Sequence, residues 1–382
     1  MQTRKIPGVY VEEASFVIKP IEGVSLSDAV FVGECAAGTE NVPTPVSSTG
    51  EFEASFGLAA KGKQSHRSDL MARSIRGYFE NGGKKAWVIR VAEDRRHTDG
   101  RGLSSLADLD GVGAVCLPGF TWTDCEKTFI QGWLDAVVRT RHLLLIIDPP
   151  PGIELRSAAD VKTLGLPAST YAVMYYPWLQ VRREGRPART VLLPPSGHVA
   201  GVWARVDADR GIWTAPAGVD TMLKVVSGLE FDVGDAEQGV LNPLGINALR
   251  DLPGHGPGIW GARLLSTASD PEWKYVNVRR FTNYIEHSIE AGTGWVVFES
   301  NDEPLWTAIK RSVETFLFGL FRQGSLVGTK PEEAFFVRCD SSTMTPNDIV
   351  NGIVNIFVGF APLKPAEFVV LRISQKTARS KR

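Results

Sequence analysis

The fold is decided by WKYVNVRRFTNYIEHSIEAGTGWVVFESNDEPLWTAIKRSVETFLFGLFRQG, residues 273–324. Alternation of apolar and polar residues over 275–278 predicts a strand. A helix is predicted next, because apolar residues recur every fourth position, at Phe281, Ile285 and Ile289. Gly292 is expected to end it with a left-handed cap.

The second half of the stretch predicts a short buried strand, 295–298, and a second helix. Asn301 or Asp302 suits the N-cap of that helix, and Pro304 suits its first position. An apolar stripe follows at Leu305, Ile309, Val313, Phe316 or Leu317, and Leu320, and Gly324 closes the element. The predicted β-α-β-α unit has no glycine-rich phosphate turn and no paired carboxylates, so it indicates a scaffold.

Composition excludes several classes of function. The 382 residues permit two or three domains, and the formal net charge of -1 gives no field that attracts nucleic acid or an anionic membrane. Glu12 and Glu13 interrupt any signal-peptide core, and the uncharged run 349–363 is too short to span a membrane. We therefore expect neither nucleic-acid binding nor membrane insertion.

No residue pattern predicts a cofactor or a metal. The four cysteines and six histidines have no metal-ligand spacing, and the thiols are expected to be reduced and mostly buried. Asp148 follows an apolar strand, and Ser196 and His198 are neighbours, but a helix-capping serine beside a packed histidine is the better interpretation. The glycines of 254–263 are interpreted as turn residues. No catalytic residue is predicted.

Strand and helix patterns alternate along the rest of the chain and predict a mixed α/β fold. Residues 25–92 form half of an α/β layer, and the polar run that begins at 93 marks a boundary. A second α/β unit, 93–254, is expected to be inserted, and 255–366 to return to the first domain. Residues 209–260 show little periodicity.

The two ends of the chain are predicted to be arms, 1–24 and 367–382. A strand-sized apolar segment lies in each arm, at Val9, Tyr10 and Val11 and at Phe368, Val369, Val370 and Leu371. A strand as short as Val9–Val11 is not stable alone in water, so it is expected to pair with another element, which another chain could provide. The basic tail after Gln375 is interpreted as solvated.

Several long motifs resemble the contractile tail sheath proteins of phages and injection systems. They lie in order along the chain: PGVYVEE (7–13), YPWLQV (176–181), LPPSGHVAGVWARVDADRGIWTAPAG (193–218), LNPLGINALRDLPGHGPGIWGARLL (241–265), the opening stretch from 273 to 306, and KPAEFVVLRISQ (364–375). Ser300 stands where the family commonly has proline.

The resemblance implies a structural subunit without enzyme activity. Such subunits stack as hexameric rings around an inner tube, and contraction drives the tube through a target envelope. Their arms would add strands to the sheets of neighbouring subunits, with 14–24 and 361–366 as hinges. The inner domain would face the tube through Lys310 and Arg311, and the inserted domain would form the outer surface.

The implied partners are further copies of the chain, the tube protein, and baseplate and tail-terminator proteins. Assembly is expected in the bacterial or host-cell cytoplasm, as part of a phage tail or a tail-like particle. Two alternatives stay open. One is a non-contractile, sheath-terminating or baseplate-proximal paralogue, and the other is an α/β enzyme that uses Asp148 and His198.

Overall fold

The protein, seen in a computed structural model, forms two compact units. The structure describes residues 19–57, 66–91, 106, 109–140, 143–183, 189–266 and 270–367. The first unit is Met1–Val24 with Ile285–Ala361, and the second is Ser25–Tyr284 with Pro362–Arg382. The predicted mixed α/β class is confirmed.

The described residues form strands and helices that alternate along much of the chain. The strands are β1 Asp28–Gly33, β2 Thr44–Val46, β3 Ala86–Arg90, β4 Val112–Thr121, β5 Leu144–Asp148, β6 Ala172–Tyr176, β7 Leu179–Arg183, β8 Arg189–Leu193, β9 Gly228–Leu229, β10 Ile246–Leu252, β11 Gly256–Ile259, β12 Phe335–Arg338 and β13 Phe357–Phe360. The α-helices are α1 Thr49–Phe56, α2 His66–Asn81, α3 Lys127–Thr140, α4 Ala158–Leu164, α5 Ser196–Arg210, α6 Asp235–Leu241, α7 Val276–Gly292, α8 Glu303–Arg322, α9 Pro331–Ala334 and α10 Pro346–Val350. Short 3-10 helices cover Val219–Thr221, Asn242–Leu244 and Gly294–Val296.

An eight-stranded sheet organises the second unit, in the order β11-β10-β6-β5-β4-β1-β3-β2. The six strands from β10 to β3 are parallel, and β11 and β2 pair antiparallel at the two edges. A parallel sheet needs cover on both faces, which explains why its strands are almost continuously apolar. β7, β8 and β9 form a separate three-stranded sheet.

Each face of the large sheet has its own core. Along β1, Ala29 and Phe31 join the core under α1, α2 and α5, whereas Val30 and Val32 join the core under α3, α4 and α6. This alternation follows from the two-residue period of a strand. The apolar runs at 29–33, 85–91, 114–117, 143–147 and 171–176 predict strands, and the structure has a strand at each of them.

Glycines allow α2 and α5 to pack closely against each other. A Cβ atom at Gly201 would lie 2.3 Å from the backbone oxygen of Tyr78. At Gly77 it would lie 2.2 Å from the ring of His198, which is buried. A backbone oxygen cannot move aside as the end of a side chain can, so Gly201 has no spare room.

Gly201→Ala is expected to lower the free energy of unfolding by about 1–3 kcal/mol through overpacking. Gly319→Ala is the control, because Gly319 lies in α8 with no atom within 4 Å of its added Cβ. That change is expected to stabilise by about 0.5–1 kcal/mol, as alanine does in a helix. Urea unfolding of the monomer measures both, and equal effects would contradict this account of the helix contact.

The two units have bounds that differ from the predicted domains. The boundary predicted at 93 rests on the polar run that follows β3, yet β4, beyond that run, pairs with β1. Residues 25–92 and much of 93–254 thus share one sheet. The region 209–260, which shows little periodicity, contains α6 and the hairpin of β10 and β11. These elements are short and interrupted by turn residues, so they contain too few residues to show a hydrophobic periodicity.

Two of the strands predicted in 273–324 are wrong. Residues 275–278 enter α7, which begins at Val276, because this first turn is buried on all sides and alternation there carries no information. Trp295 and Val296 belong to the 3-10 helix, and Val297 and Phe298 are exposed. The stretch is a pair of helices and not a β-α-β-α unit.

The two helices themselves are confirmed. Asp302 caps α8 by accepting a hydrogen bond from the Leu305 backbone, and the predicted stripe is buried. α7 ends at Gly292, but Gly292 is not left-handed. Its Cβ would lie 2.8 Å from Ile21, so glycine provides space for that side chain. The apolar residues of 353–360 predict a strand, but the strand that forms is shorter and starts at Phe357.

No helix in the described parts of the chain combines the length and the apolar character needed to cross a membrane.

Candidate assembly surfaces

Both predicted arm strands lie outside the described residues. They are Val9, Tyr10 and Val11 at the front and Phe368, Val369, Val370 and Leu371 at the back. The structure describes only the residues next to them, 19–24 in the first unit and 362–367 in the second. The arm assignment therefore stays a prediction.

The first unit contains a small two-stranded sheet. β12 and β13 pair antiparallel, and neither pairs with a third strand in the part of the chain that is described. Val337 is buried on one face, whereas Phe336 and Phe357 are more than half exposed. The Phe336 ring covers Gly359 on the partner strand. A two-stranded sheet is marginal alone, so its edges can accept further strands.

Exposed large apolar side chains are concentrated in this unit. The unit has about a quarter of the described residues but nine of the fifteen exposed large hydrophobic side chains found there: Val297, Phe298, Phe318, Val327, Phe336, Ile349, Val350, Ile353 and Phe357. Single exposed hydrophobic side chains are normal, but their concentration in one unit makes it the candidate interaction surface. The six in the second unit are Val42, Val138, Ile153, Leu192, Val219 and Val225.

Phe298 is the most exposed of these side chains and has an unfavourable backbone. Its relative exposure is 102% and its φ is 73°, in the left-handed region that aromatic residues rarely adopt. The turn is held by a hydrogen bond from the Glu299 backbone to the Val296 carbonyl. The sequence predicted a buried strand here, because turn residues on both sides, 292–294 and 300–302, are typical boundaries of a short apolar strand.

Lys310 and Arg311 lie off the buried stripe of α8, as predicted. Lys310 Nζ is 3.9 Å from the Glu314 carboxylate, and such a half-exposed pair is worth little. Arg311 is exposed, and one exposed face of the helix carries Thr307, Arg311, Phe318 and Arg322. Whether this face contacts a tube stays a prediction.

The residues considered for catalysis form a buried structural cluster. Asp148 accepts hydrogen bonds from the Ser196 backbone at 3.0 Å and from Ser196 Oγ at 2.7 Å, at the start of α5. His198 is buried against Gly77, and burial lowers its pKa to about 4. Because the serine donates to the carboxylate, its hydroxyl is not arranged as a nucleophile activated by His198.

Burial raises the pKa of Asp148 to about 7, against hydrogen bonds from Ser196 that lower it. The folded state therefore holds this proton more tightly than the unfolded chain, and its contribution to stability is lost as pH rises from about 4 to 7. Asp148→Asn is expected to remove this pH dependence, which amounts to about 3 kcal/mol between pH 5 and pH 7. Urea unfolding at pH 5 and pH 7.5 measures it. If the variant and the natural protein lose the same free energy of unfolding between pH 5 and pH 7.5, Asp148 is not the group responsible.

Of the glycines of 254–263, only some are turn residues as expected, since Gly258 lies within β11. Gly254 and Gly256 have positive φ where β10 turns into β11. No cluster of three or more histidine, cysteine or acidic side chains among the described residues is arranged to hold a metal ion.

Comparison with known proteins identifies the fold. Residues 268–376 match the phage tail sheath C-terminal domain family. The contracted sheath of an extracellular contractile injection system, PVC, is 28% identical with a TM-score of 0.77, over 98% of this chain and 99% of that one. The contracted helical sheath of the anti-feeding prophage is 27% identical with a TM-score of 0.78, over 98% and 100%.

The chain resembles contractile tail sheath proteins in both sequence and fold. A putative prophage major tail sheath protein of Pseudomonas aeruginosa is 26% identical over 90% of this chain and 88% of its own length. A tail sheath protein of Vibrio phage KVP40 is 27% identical over 63% of this chain, which spans only 32% of that longer sheath protein.

Proposed function

We propose that this chain is the repeating structural subunit of a contractile sheath. Its copies stack as hexameric rings around an inner tube, in a phage tail or a phage tail-like particle, and contraction drives the tube through a target envelope. The observation that carries the proposal is the similarity to two contracted sheaths along 98% of the chain. A shared fold alone would not support a shared function, but here the fold is accompanied by 27–28% sequence identity.

The first unit supplies the physical basis for assembly. Among the described residues its sheet contains only β12 and β13, and nine large apolar side chains of the unit are exposed. A strand from the Val9–Val11 arm or the Phe368–Leu371 arm of a neighbouring copy would add backbone hydrogen bonds at an edge of this sheet. The linked copies would then stay connected while they rotate and slide during contraction.

Contraction is proposed to need no cofactor and no enzyme activity. The extended sheath would be a metastable polymer, and the difference in contact energy between its two states would supply the work. Weak charge contacts from Lys310 and Arg311 to the tube, each about 0–1 kcal/mol, suit an interaction that must be released. Baseplate and terminator proteins would bind the ends of the sheath, which assembles in the bacterial or host-cell cytoplasm.

Electron microscopy of the chain expressed with its tube protein tests the proposal. Tubes of two sheath lengths, long before and short after contraction, are expected. Small closed oligomers without tubes would contradict it.

One observation favours a second candidate, a baseplate-proximal paralogue. A chain in the anti-feeding prophage baseplate structure is 28% identical with a TM-score of 0.75, over 98% of this chain. A paralogue of that kind would form a single ring and not a long cylinder, so the same micrographs separate the two.

A further inference from the structure

Glu367, the last described residue before the C-terminal arm, is held by several donors at once. Arg263 donates from Nε at 2.8 Å and from Nη2 at 2.5 Å, one bond to each carboxylate oxygen. Tyr275 donates its hydroxyl at 3.0 Å, and Lys274 Nζ lies at 3.3 Å. We call Glu367 with Arg263, Lys274 and Tyr275 the clamp. Two-bond arginine pairs fix direction as well as distance.

The clamp is largely removed from water. The side chains of Arg263 and Glu367 are only 10% and 16% exposed. Burial works to raise the pKa of Glu367, but the hydrogen bond and charge of Arg263, with Tyr275 and Lys274, hold that pKa below its usual value. The carboxylate therefore stays ionised at neutral pH, and the ion pair is screened less than a surface pair.

Arg263 is itself fixed to the large sheet. Its backbone N–H donates to Asn247 Oδ1 at 2.6 Å, and Asn247 Nδ2 donates to the Arg263 carbonyl at 2.7 Å. Asn247 is fully buried in β10 and also donates to the Met174 carbonyl of β6. A Cβ at Gly261 would lie 2.9 Å from Asn247 Oδ1, so the backbone approaches that side chain closely. A continuous set of hydrogen bonds thus joins β6, β10 and Glu367.

The segment just before Glu367 is also held within the second unit. Asn277 Nδ2 donates to the Leu363 carbonyl at 2.9 Å. Residues 361–366 were expected to be a hinge, but a hinge needs backbone groups that can change partners freely. The bond to Leu363 and the clamp at Glu367 argue that residues 363–367 are an anchor instead.

We propose that the clamp is the fixed end of the C-terminal arm, with Arg263, Lys274 and Tyr275 as positioning residues. This inference rests on the proposed sheath function. The clamp sets where the arm leaves its subunit, and a pull by a neighbouring copy is passed through Arg263 and Asn247 to the large sheet. Residues 363–367 then stay fixed to their own subunit and do not act as a hinge.

The test uses Glu367→Gln in the full chain, with Glu332→Gln as a control of equal charge change at an exposed position. In the monomer, amide hydrogen exchange of residues 363–367 is expected to rise at least tenfold in Glu367→Gln and to stay unchanged in the control. With the tube protein, the yield of intact sheaths after contraction is expected to fall at least tenfold in Glu367→Gln only.

Tyr275→Phe removes a single donor and keeps the ring, so it serves if Glu367→Gln does not fold. It is expected to change exchange and sheath yield in the same direction by a smaller factor. Unchanged exchange would overturn the inference, and so would faster exchange with sheaths that contract normally. If the natural chain forms no sheath at all, the proposed function fails, whereas the exchange measurement still judges the clamp.

Discussion

Deleting residues 1–13 is expected to abolish tubular assembly while the monomer stays folded. The deletion removes the Val9–Val11 strand, which can gain backbone hydrogen bonds only by pairing with a sheet edge. The two cores of the large sheet are built from residues after Ser25, so the monomer loses little. Electron microscopy and size-exclusion chromatography measure assembly, and thermal unfolding measures the fold.

The control for this deletion is removal of the basic tail, residues 376–382. That tail carries four of the chain's basic residues and no acid, and it is predicted to be solvated. Sheaths should therefore form without it. If subunits lacking 1–13 still form contractile tubes, the arm assignment at Val9, Tyr10 and Val11 is wrong.

The sequence predicted those elements that are specified by residues a few positions apart. The apolar run 143–147 predicts β5 because a strand covered on both faces must be apolar throughout. Asp302 and Pro304 predict the start of α8 because a cap satisfies backbone groups within one turn. Both predictions depend on residues only a few positions apart.

Features that depend on contacts between distant residues could not be predicted from the sequence. The run 295–298 looks like β5, but no other element covers Val297 and Phe298, which burial alone could reveal. The clamp joins Glu367 to residues 92 to 104 positions earlier, so no local pattern marks it. The sheet shared across residue 93 is likewise a long-range pairing, of β1 with β4.

Phe298→Asn is expected to stabilise the monomer and to weaken assembly. Asparagine tolerates left-handed backbone better than phenylalanine, so relief of strain at φ 73° should raise the free energy of unfolding by about 1 kcal/mol. The fully exposed ring makes no contribution to the monomer core that the change could remove. In a sheath, burying that ring against another copy would be worth about 1.5–3 kcal/mol. The critical concentration for assembly should therefore rise about tenfold or more.

Val225→Asn is the matched control. Val225 is also exposed, at 49%, and also left-handed, with φ 63°, but it lies in the second unit. Its replacement should relieve strain in the same way and leave the critical concentration unchanged. If Phe298→Asn stabilises the monomer but raises the critical concentration, while Val225→Asn only stabilises the monomer, the strained phenylalanine is retained for its contact in the assembly. Equal critical concentrations for the two variants and the natural chain would show that Phe298 is not part of a contact between subunits.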